Sequence, residues 1–489
     1  MTRISHRNDL RHRTLPGTVL GVTLVLTQLV AAAQGQPRNI PDDGAYRGYF
    51  AAHALDNGEL DVIDAHNNDR LFVPASVLKV LTVAAALEHL SGDYRWRTQI
   101  TSTGAIVDRI LEGNLVVEPG ADPTWGTELF DGGAGEPLTR LAEQVVTGGV
   151  TRVIGDLVVD MSRFPGRRYP LGRAFSDLPY RHGTPPAALA VNEATVSLRV
   201  APGAMLGAPA RVTSTGGLEV INRTITVSRD RQGAGTLDFL PIWDTEMLLL
   251  RGEYPISERP FVVAASDPIP ELRAARELKM ALARAGVNVG GDTVARTQSA
   301  GQTRRRLIAE LQSPPLLDIL GPLLTRSHNW FADMLVLTLS REEASSGRFD
   351  DGVRVVSDFV TDVLGEPVGR GTTPTSVSLR DGSGLSAANL VTPTAVARVL
   401  AHALARPWGP TLVAALPRPG QGTLAAWPRL PPVAAKTGTL RQTIALAGVL
   451  EPDGASPVVF CYFVNHHPGR RAEARAEIAR AVRRWQNSR

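Results

Sequence analysis

The stretch PASVLKVLTVAAALEHL, residues 74–90, limits the possible architecture more than any other part of the chain. Pro74 precedes a helix start, and from Val77 to Leu87 the sequence is apolar almost all round. A helix with no polar face has to be covered on every side. The stretch therefore predicts a core helix enclosed by other layers. Ser76 stands at its N-terminus, and Lys79, three residues on, shares a face with it. That lysine is unusual in this chain: of 52 basic residues only Lys79, Lys279 and Lys436 are lysines.

At 489 residues the chain predicts two or more domains. Tyr46–Asp56 and Glu59–Ala65, around Asn57-Gly58, form a hairpin pattern. From Trp96 to Val262 short Val/Ile/Leu/Thr runs alternate with Gly and Pro turns, with at least one helix (PLTRLAEQVVTGG), so this region is β-rich. Helical patterning returns from Pro270. Strand patterns close the chain in PVAAKTGTLR, TIALAGVLE and PVVFCYFVNH, followed by a helix whose face holds Ala474, Ile478, Ala481 and Trp485. Strands from both ends of this helix-and-strand body can pair in one antiparallel sheet flanked by helices, an α+β class. The expected organisation is an export signal over 1–33, a body in two segments, 34–95 and 264–489, and an inserted β-rich region over 96–263 divided into two small subdomains.

The export signal rests on Arg3, Arg7, Arg11 and Arg13, the apolar run TVLGVTLVLTQLVAAA, and small residues for cleavage near Gln34. An uncleaved anchor is the alternative, since the run approaches the lower limit for spanning. Elsewhere no segment is apolar enough to cross a bilayer, so membrane association is expected to be peripheral at most. Those four arginines against Asp9 supply three of the four net positive charges, which removes compositional support for nucleic-acid binding. The single Cys461 cannot form an internal disulfide, and its apolar run predicts an inert core thiol.

A serine acts as a nucleophile only when something removes its proton, and burial lowers a lysine's pKa enough to let it do so. Arginine cannot take that role because its guanidinium does not deprotonate in proteins. SxxK alone is nevertheless a weak signal, equally compatible with a helix-end lysine. Lys436-Thr437-Gly438-Thr439 places a second lysine on a strand, where an ammonium and two hydroxyls suit a carboxylate and Gly438 allows close approach of backbone to ligand. The same segment reads equally as an ordinary edge strand. Ser327-His328-Asn329 interrupts apolar helical sequence and fits either a site cluster or a helix N-cap. No Walker A loop and no HExxH occurs, and no metal or organic cofactor is expected.

Taken in order, SxxK, SxN and KTG form the set found in penicillin-binding proteins and class A β-lactamases. With RLFVPASVLKVLTVAAAL, GNLVVEPGADPTW, DGSGLSAANLVTP, GQGTL and AAKTGTL, the chain resembles the D-alanyl-D-alanine carboxypeptidase/endopeptidase family, the class C low-molecular-mass penicillin-binding proteins. The resemblance covers nearly the whole chain after residue 33. It implies a serine β-lactamase/penicillin-binding-protein-like transpeptidase domain with a large insertion, exported to the periplasm or another extracytoplasmic space. Peptidoglycan peptides would be substrates and β-lactams covalent inhibitors. It implies further that Ser76 is the acylated nucleophile, Lys79 its base and Ser327 a proton relay. Asn329, Lys436, Thr437, Gly438 and Thr439 would bind substrate, and the backbone N–H groups of Ser76 and Thr439 would form an oxyanion hole. His328 stands where the family commonly has Asn and reads as tolerated variation. Asp333, in place of a usual Glu, reads as a minor change. Asp381–Ser386 receives no chemical step, and the Pro179–Pro186 junction departs from the family pattern. A β-lactamase-like hydrolase of the same fold differs in faster release of the acyl group. An inactive wall-binding protein would have little reason to keep both motif lysines.

Overall fold

Strands buried at almost every position, on both of their faces, build a sheet covered on each side. A computed structural model describes residues 41, 43–55, 59–129, 135–215, 217–231, 235–242, 245–298, 305–366, 375–451, 457–469 and 471–488. The expected export signal and the Asn57-Gly58 turn lie outside them. Strands β1 (Tyr46–Ala54), β2 (Leu60–His66), β3 (Val433–Leu440), β4 (Thr443–Leu450) and β5 (Val458–Asn465) form one antiparallel sheet in the order β2-β1-β5-β4-β3. Successive side chains point to opposite faces. One set (Phe50, Ala52, Ala434, Ala447, Cys461, Phe463) enters the helical core. The other (Tyr49, Ala435, Leu446, Phe460, Tyr462) meets Ala474, Ile478, Ala481 and Trp485 of the C-terminal helix, Arg471–Gln486. Cys461 is buried, and burial pushes its thiol pKa well up, as an inert core residue requires.

Helix α1 (Leu78–Leu90) runs under this sheet, and every residue from Leu78 to Leu87 is buried. It shares its core with α2 (Leu316–Thr325), α3 (Asn329–Glu342), α4 (Phe349–Leu364) and α5 (Pro393–Leu404). The fold class read from the sequence, an α+β body of sheet and helices, is the observed one.

The limits of the insertion differ from expectation. Arg97–Ser102 pairs antiparallel with Arg306–Gln312, and Ser313 N–H donates to Trp96 C=O at 3.0 Å, so the chain leaves and rejoins the body at one place. The return comes after Gln312 instead of at residue 264. Helix Pro270–Arg284, expected in the body, buries Ala274, Ala275, Leu278, Ala281 and Leu282 against the insertion's own sheet. That sheet has five strands in the order 293–296, 157–160, 115–118, 97–102, 306–312. Its core is separate from a second one in which Val196, Leu198, Val200, Phe239, Leu248 and Leu250 join two three-stranded sheets. The helical pattern of 270–286 was visible in the sequence; which core its apolar face entered was not.

Candidate active site

Ser76 sits in a 3-10 turn, Ala75–Val77, that leads into α1 and lies against β3. Two glycines make this contact possible. A Cβ on Gly438 would stand 2.6 Å from the Pro74 carbonyl oxygen, so the strand backbone packs directly on the Ser76 turn. Gly438 thus lets one protein segment approach another closely. Gly384 adopts φ 77°, and a Cβ on it would stand 1.9 Å from Ala75 O. Gly384→Ala combines left-handed strain with a backbone clash. It is expected to cost about 2 kcal/mol or more and to lower the melting temperature measurably. A calorimetric scan showing no loss would remove this packing constraint.

Lys79 is wholly buried, and its Nζ lies 2.9 Å from Ser76 Oγ, 2.8 Å from Asn329 Oδ1 and 2.5 Å from Ser383 O. Asn329 is oriented by its own Nδ2, which donates to His182 O at 2.7 Å and leaves Oδ1 facing the amine. Two of the three Nζ partners are oxygens that only accept, and the third is a hydroxyl able to donate. A neutral amine, with two N–H bonds and one lone pair, satisfies all three. Desolvation pulls the Lys79 pKa down to about 7; Asp333 and Asp381 oppose the shift, and Arg173 adds to it. If neutral Lys79 is the acylating form, the acylation rate rises about tenfold per pH unit below 7 and levels off above it. Stopped-flow acylation across pH tests this, and a rate flat from acid to neutral pH would contradict it.

The expected Ser327-His328-Asn329 cluster breaks the helical run between α2 and α3. Ser327 has φ 60°, a left-handed conformation that ends one helix before Asn329 opens the next. His328 holds the N-cap position with no side-chain capping bond, so capping does not explain the motif. The Ser327 hydroxyl instead accepts from Lys436 Nζ at 2.9 Å, and Lys436 also donates to Thr437 O at 2.8 Å. Lys436 is fully enclosed, and burial, with Lys79 nearby as a lesser cause, lowers its pKa well below the ordinary value. Its amine therefore reaches the cleft through Ser327, where an exposed edge-strand lysine would have reached solvent. Thr437 Oγ1 bonds Thr423 Oγ1 at 2.7 Å, and Thr439 is half-buried on the same strand. Thr423 lies in GQGTL, a stretch whose sequence alone suggested no role.

Several contacts were not foreseen. Asp333, read as a minor change, is fully buried, and its Oδ1 accepts from Gly382 N–H at 3.0 Å and Ser383 N–H at 3.1 Å. Asp381 accepts from Gly384 and Ser386 N–H, both at 2.8 Å. Together they hold the loop that presents Ser383 O to Lys79. His328, read as tolerated variation, has Nε2 3.1 Å from Glu193 Oε2, while Arg181 Nη2 donates to Glu193 Oε1 at 2.6 Å. Burial opposes ionisation of Glu193, but His328 and Arg181 overcome it and hold its pKa down at about 2. Asn192, Glu193 and Ala194 all have positive φ, a strained turn held by these contacts. The junction around Pro179–Pro186 thus supplies Arg181 and His182 to a cavity of about 780 Å³ that also contains Ser327 and Asn329. Among the described residues, no group of His, Cys, Asp or Glu is arranged to hold a metal ion, and no helix is long and apolar enough to cross a membrane.

Comparisons with known proteins agree over almost the full length. The D-Ala-D-Ala carboxypeptidase 3 (S13) family model matches residues 39–487. The chain is 29% identical over 479 residues to the D-alanyl-D-alanine carboxypeptidase of Actinomadura sp. (strain R39), covering 93% of this chain and 86% of the relative. It is 26% identical over 458 residues to the D-alanyl-D-alanine carboxypeptidase DacB of Haemophilus influenzae, covering 90% and 89%. The crystal structure of penicillin binding protein 4 from Haemophilus influenzae superposes with a TM-score of 0.78 at 25% identity, over 91% of this chain and 96% of that one.

Proposed function

Because the chain belongs to the D-Ala-D-Ala carboxypeptidase 3 (S13) family, we propose that it is a serine-type DD-peptidase of peptidoglycan whose nucleophile is Ser76. The observation that carries the assignment of residues is the Lys79 amine, buried and shared between Ser76 Oγ, Asn329 Oδ1 and Ser383 O.

The chemistry follows from those partners. Neutral Lys79 takes the Ser76 hydroxyl proton as Oγ attacks the carbonyl carbon of the D-Ala-D-Ala bond. Backbone N–H groups of Ser76 and Thr439 receive the developing oxyanion. The C–N bond then breaks as the proton that Lys79 took from Ser76 passes through the Ser327 hydroxyl to the leaving D-alanine amine, so Ser327 gains a proton as it gives one and Lys79 is neutral again; Lys436 Nζ holds Ser327 in place. Water attacks the resulting Ser76 ester and releases the shortened peptide. Asn329 binds the substrate amide, and Thr437 and Thr439 bind the terminal carboxylate, whose own charge favours the protonated form of Lys436. β3 ends the strand order of its sheet, and past Ala435, whose N–H donates to Pro417 O at 3.0 Å, its outer side can pair with an extended peptide. Gly438 contributes by letting β3 lie close to the Ser76 turn.

A β-lactam carbonyl enters the same reaction and leaves a Ser76 penicilloyl ester. The basic and apolar stretch within residues 1–33 supports action outside the cytoplasm, where peptidoglycan lies. Binding of fluorescent penicillin tests the proposal: the native chain takes one label per molecule and releases it slowly. Folded protein that takes no label fits an inactive wall-binding protein, and rapid turnover of the label fits a β-lactamase.

A further inference from the structure

Arg173 belongs to the insertion, on the segment between strands Leu157–Asp160 and Thr195–Ala201, yet its guanidinium lies inside the catalytic body. The side chain is 1% exposed. Its Nη2 pairs with Asp333 Oδ2, its Nε lies 3.5 Å from Asp381 Oδ2, and its Nη1 donates to Gly183 O and Thr184 O, each at 3.3 Å. The neighbouring Gly172 is what permits this entry: a Cβ there would stand 2.4 Å from Ser386 Oγ and 2.9 Å from Ala388 Cβ. Both carboxylates are enclosed, and their other oxygen contacts go to backbone N–H groups of residues 382, 383, 384 and 386 and to Asn389.

Two buried carboxylates beside one amine favour the ammonium. A buried guanidinium placed between them cancels much of that field, because Coulomb interactions are strong where water is excluded. The charged groups acting on Lys79 are Asp333 from α3, Asp381 from the 381–386 loop and Arg173 from the insertion, and the buried Lys436 amine of β3 also lies near it. Ser76, Asn329 and Ser383 O complete its surroundings and carry no charge.

We propose that Arg173 is a positioning residue for acylation: by neutralising Asp333 and Asp381 it fastens the insertion to the catalytic loop and keeps Lys79 able to accept the Ser76 proton. Arg173 hydrogen-bonds neither Ser76 nor Lys79; it acts through Asp333, Asp381 and Ser383 Oγ, which its Nη2 reaches at 3.4 Å, and through its own charge near Lys79. The insertion thereby supplies one charge on which the chemistry of the body depends. The role rests on Lys79 being the base of the proposed reaction.

The experiment measures penicillin acylation rates of the full chain from about pH 5 to about pH 10 for the native protein, Arg173→Met, Arg173→Lys and Asp333→Asn. Arg173→Met moves the acid limb up by about one unit, a loss of about tenfold near pH 6 that closes as pH rises. Arg173→Lys keeps the charge and holds the limb near the native position. Asp333→Asn removes one carboxylate while keeping an acceptor oxygen for the 382 and 383 amides, so its limb moves down. An Arg173→Met rate reduced by the same factor at every pH, with the limb unmoved, overturns the proposal and leaves Arg173 a purely structural role. If Arg173→Met does not fold, Asp333→Asn decides alone, and a limb that stays or rises overturns it. A native protein that is not acylated, or shows no acid limb, instead defeats the assignment of Lys79 as base.

Discussion

Ser76→Ala is expected to abolish covalent labelling by penicillin and to lower D-alanine release by roughly 10⁴-fold or more. The ester intermediate cannot form without Oγ, and the remaining groups can only orient substrate and polarise its carbonyl. The change removes one half-buried hydroxyl and no apolar contact, and Lys79 keeps Asn329 Oδ1 and Ser383 O. The melting temperature is therefore expected to stay within about 2 °C of native. Gel fluorescence after incubation with labelled penicillin, with a thermal melt of the same sample, separates loss of the nucleophile from loss of fold. A well-folded Ser76→Ala protein that still takes label would place the nucleophile elsewhere.

Lys79→Arg is expected to lower acylation by about 10³-fold, because it keeps the positive charge and removes the base. The larger guanidinium also crowds an enclosed position, since Lys79 is 0% exposed and lies on a buried helix. Lys79→Ala serves as the companion without crowding and is expected to be comparably impaired. Measuring both with the same penicillin, alongside thermal melts, distinguishes a missing proton acceptor from a distorted cleft. A folded Lys79→Arg enzyme with more than about a tenth of native activity would be incompatible with proton transfer to residue 79.

The parts of the site written in short motifs were legible in the amino-acid sequence. Ser76 and Lys79 sit one helical turn apart, and an all-apolar helix around them predicts burial. The scarcity of lysine made Lys79 and Lys436 conspicuous, and the fold encloses both. Periodicity also identified the strands of the sheet and the Ala474-Ile478-Ala481-Trp485 face. What periodicity could not say is which partner an apolar face meets. Helix Pro270–Arg284 has the pattern of a body helix and packs in the insertion, which moved the boundary to residue 312. Asp333 was underrated for a related reason. Its weight comes from Arg173, 160 residues earlier in the chain, and no local pattern links them.

By itself, the sequence determined the core helix, the α+β class and the order SxxK, SxN, KTGT. Each of these depends on residue type and on spacing within a few turns of chain. Only the tertiary structure decided which charges surround that lysine, how Gly384 and Gly438 admit neighbouring backbone, and how the insertion enters the site. Those features depend on dielectric and distance between segments far apart in sequence. The pKa of Lys79 is set by burial, two carboxylates and one arginine together, and they become neighbours only when the insertion folds onto the body.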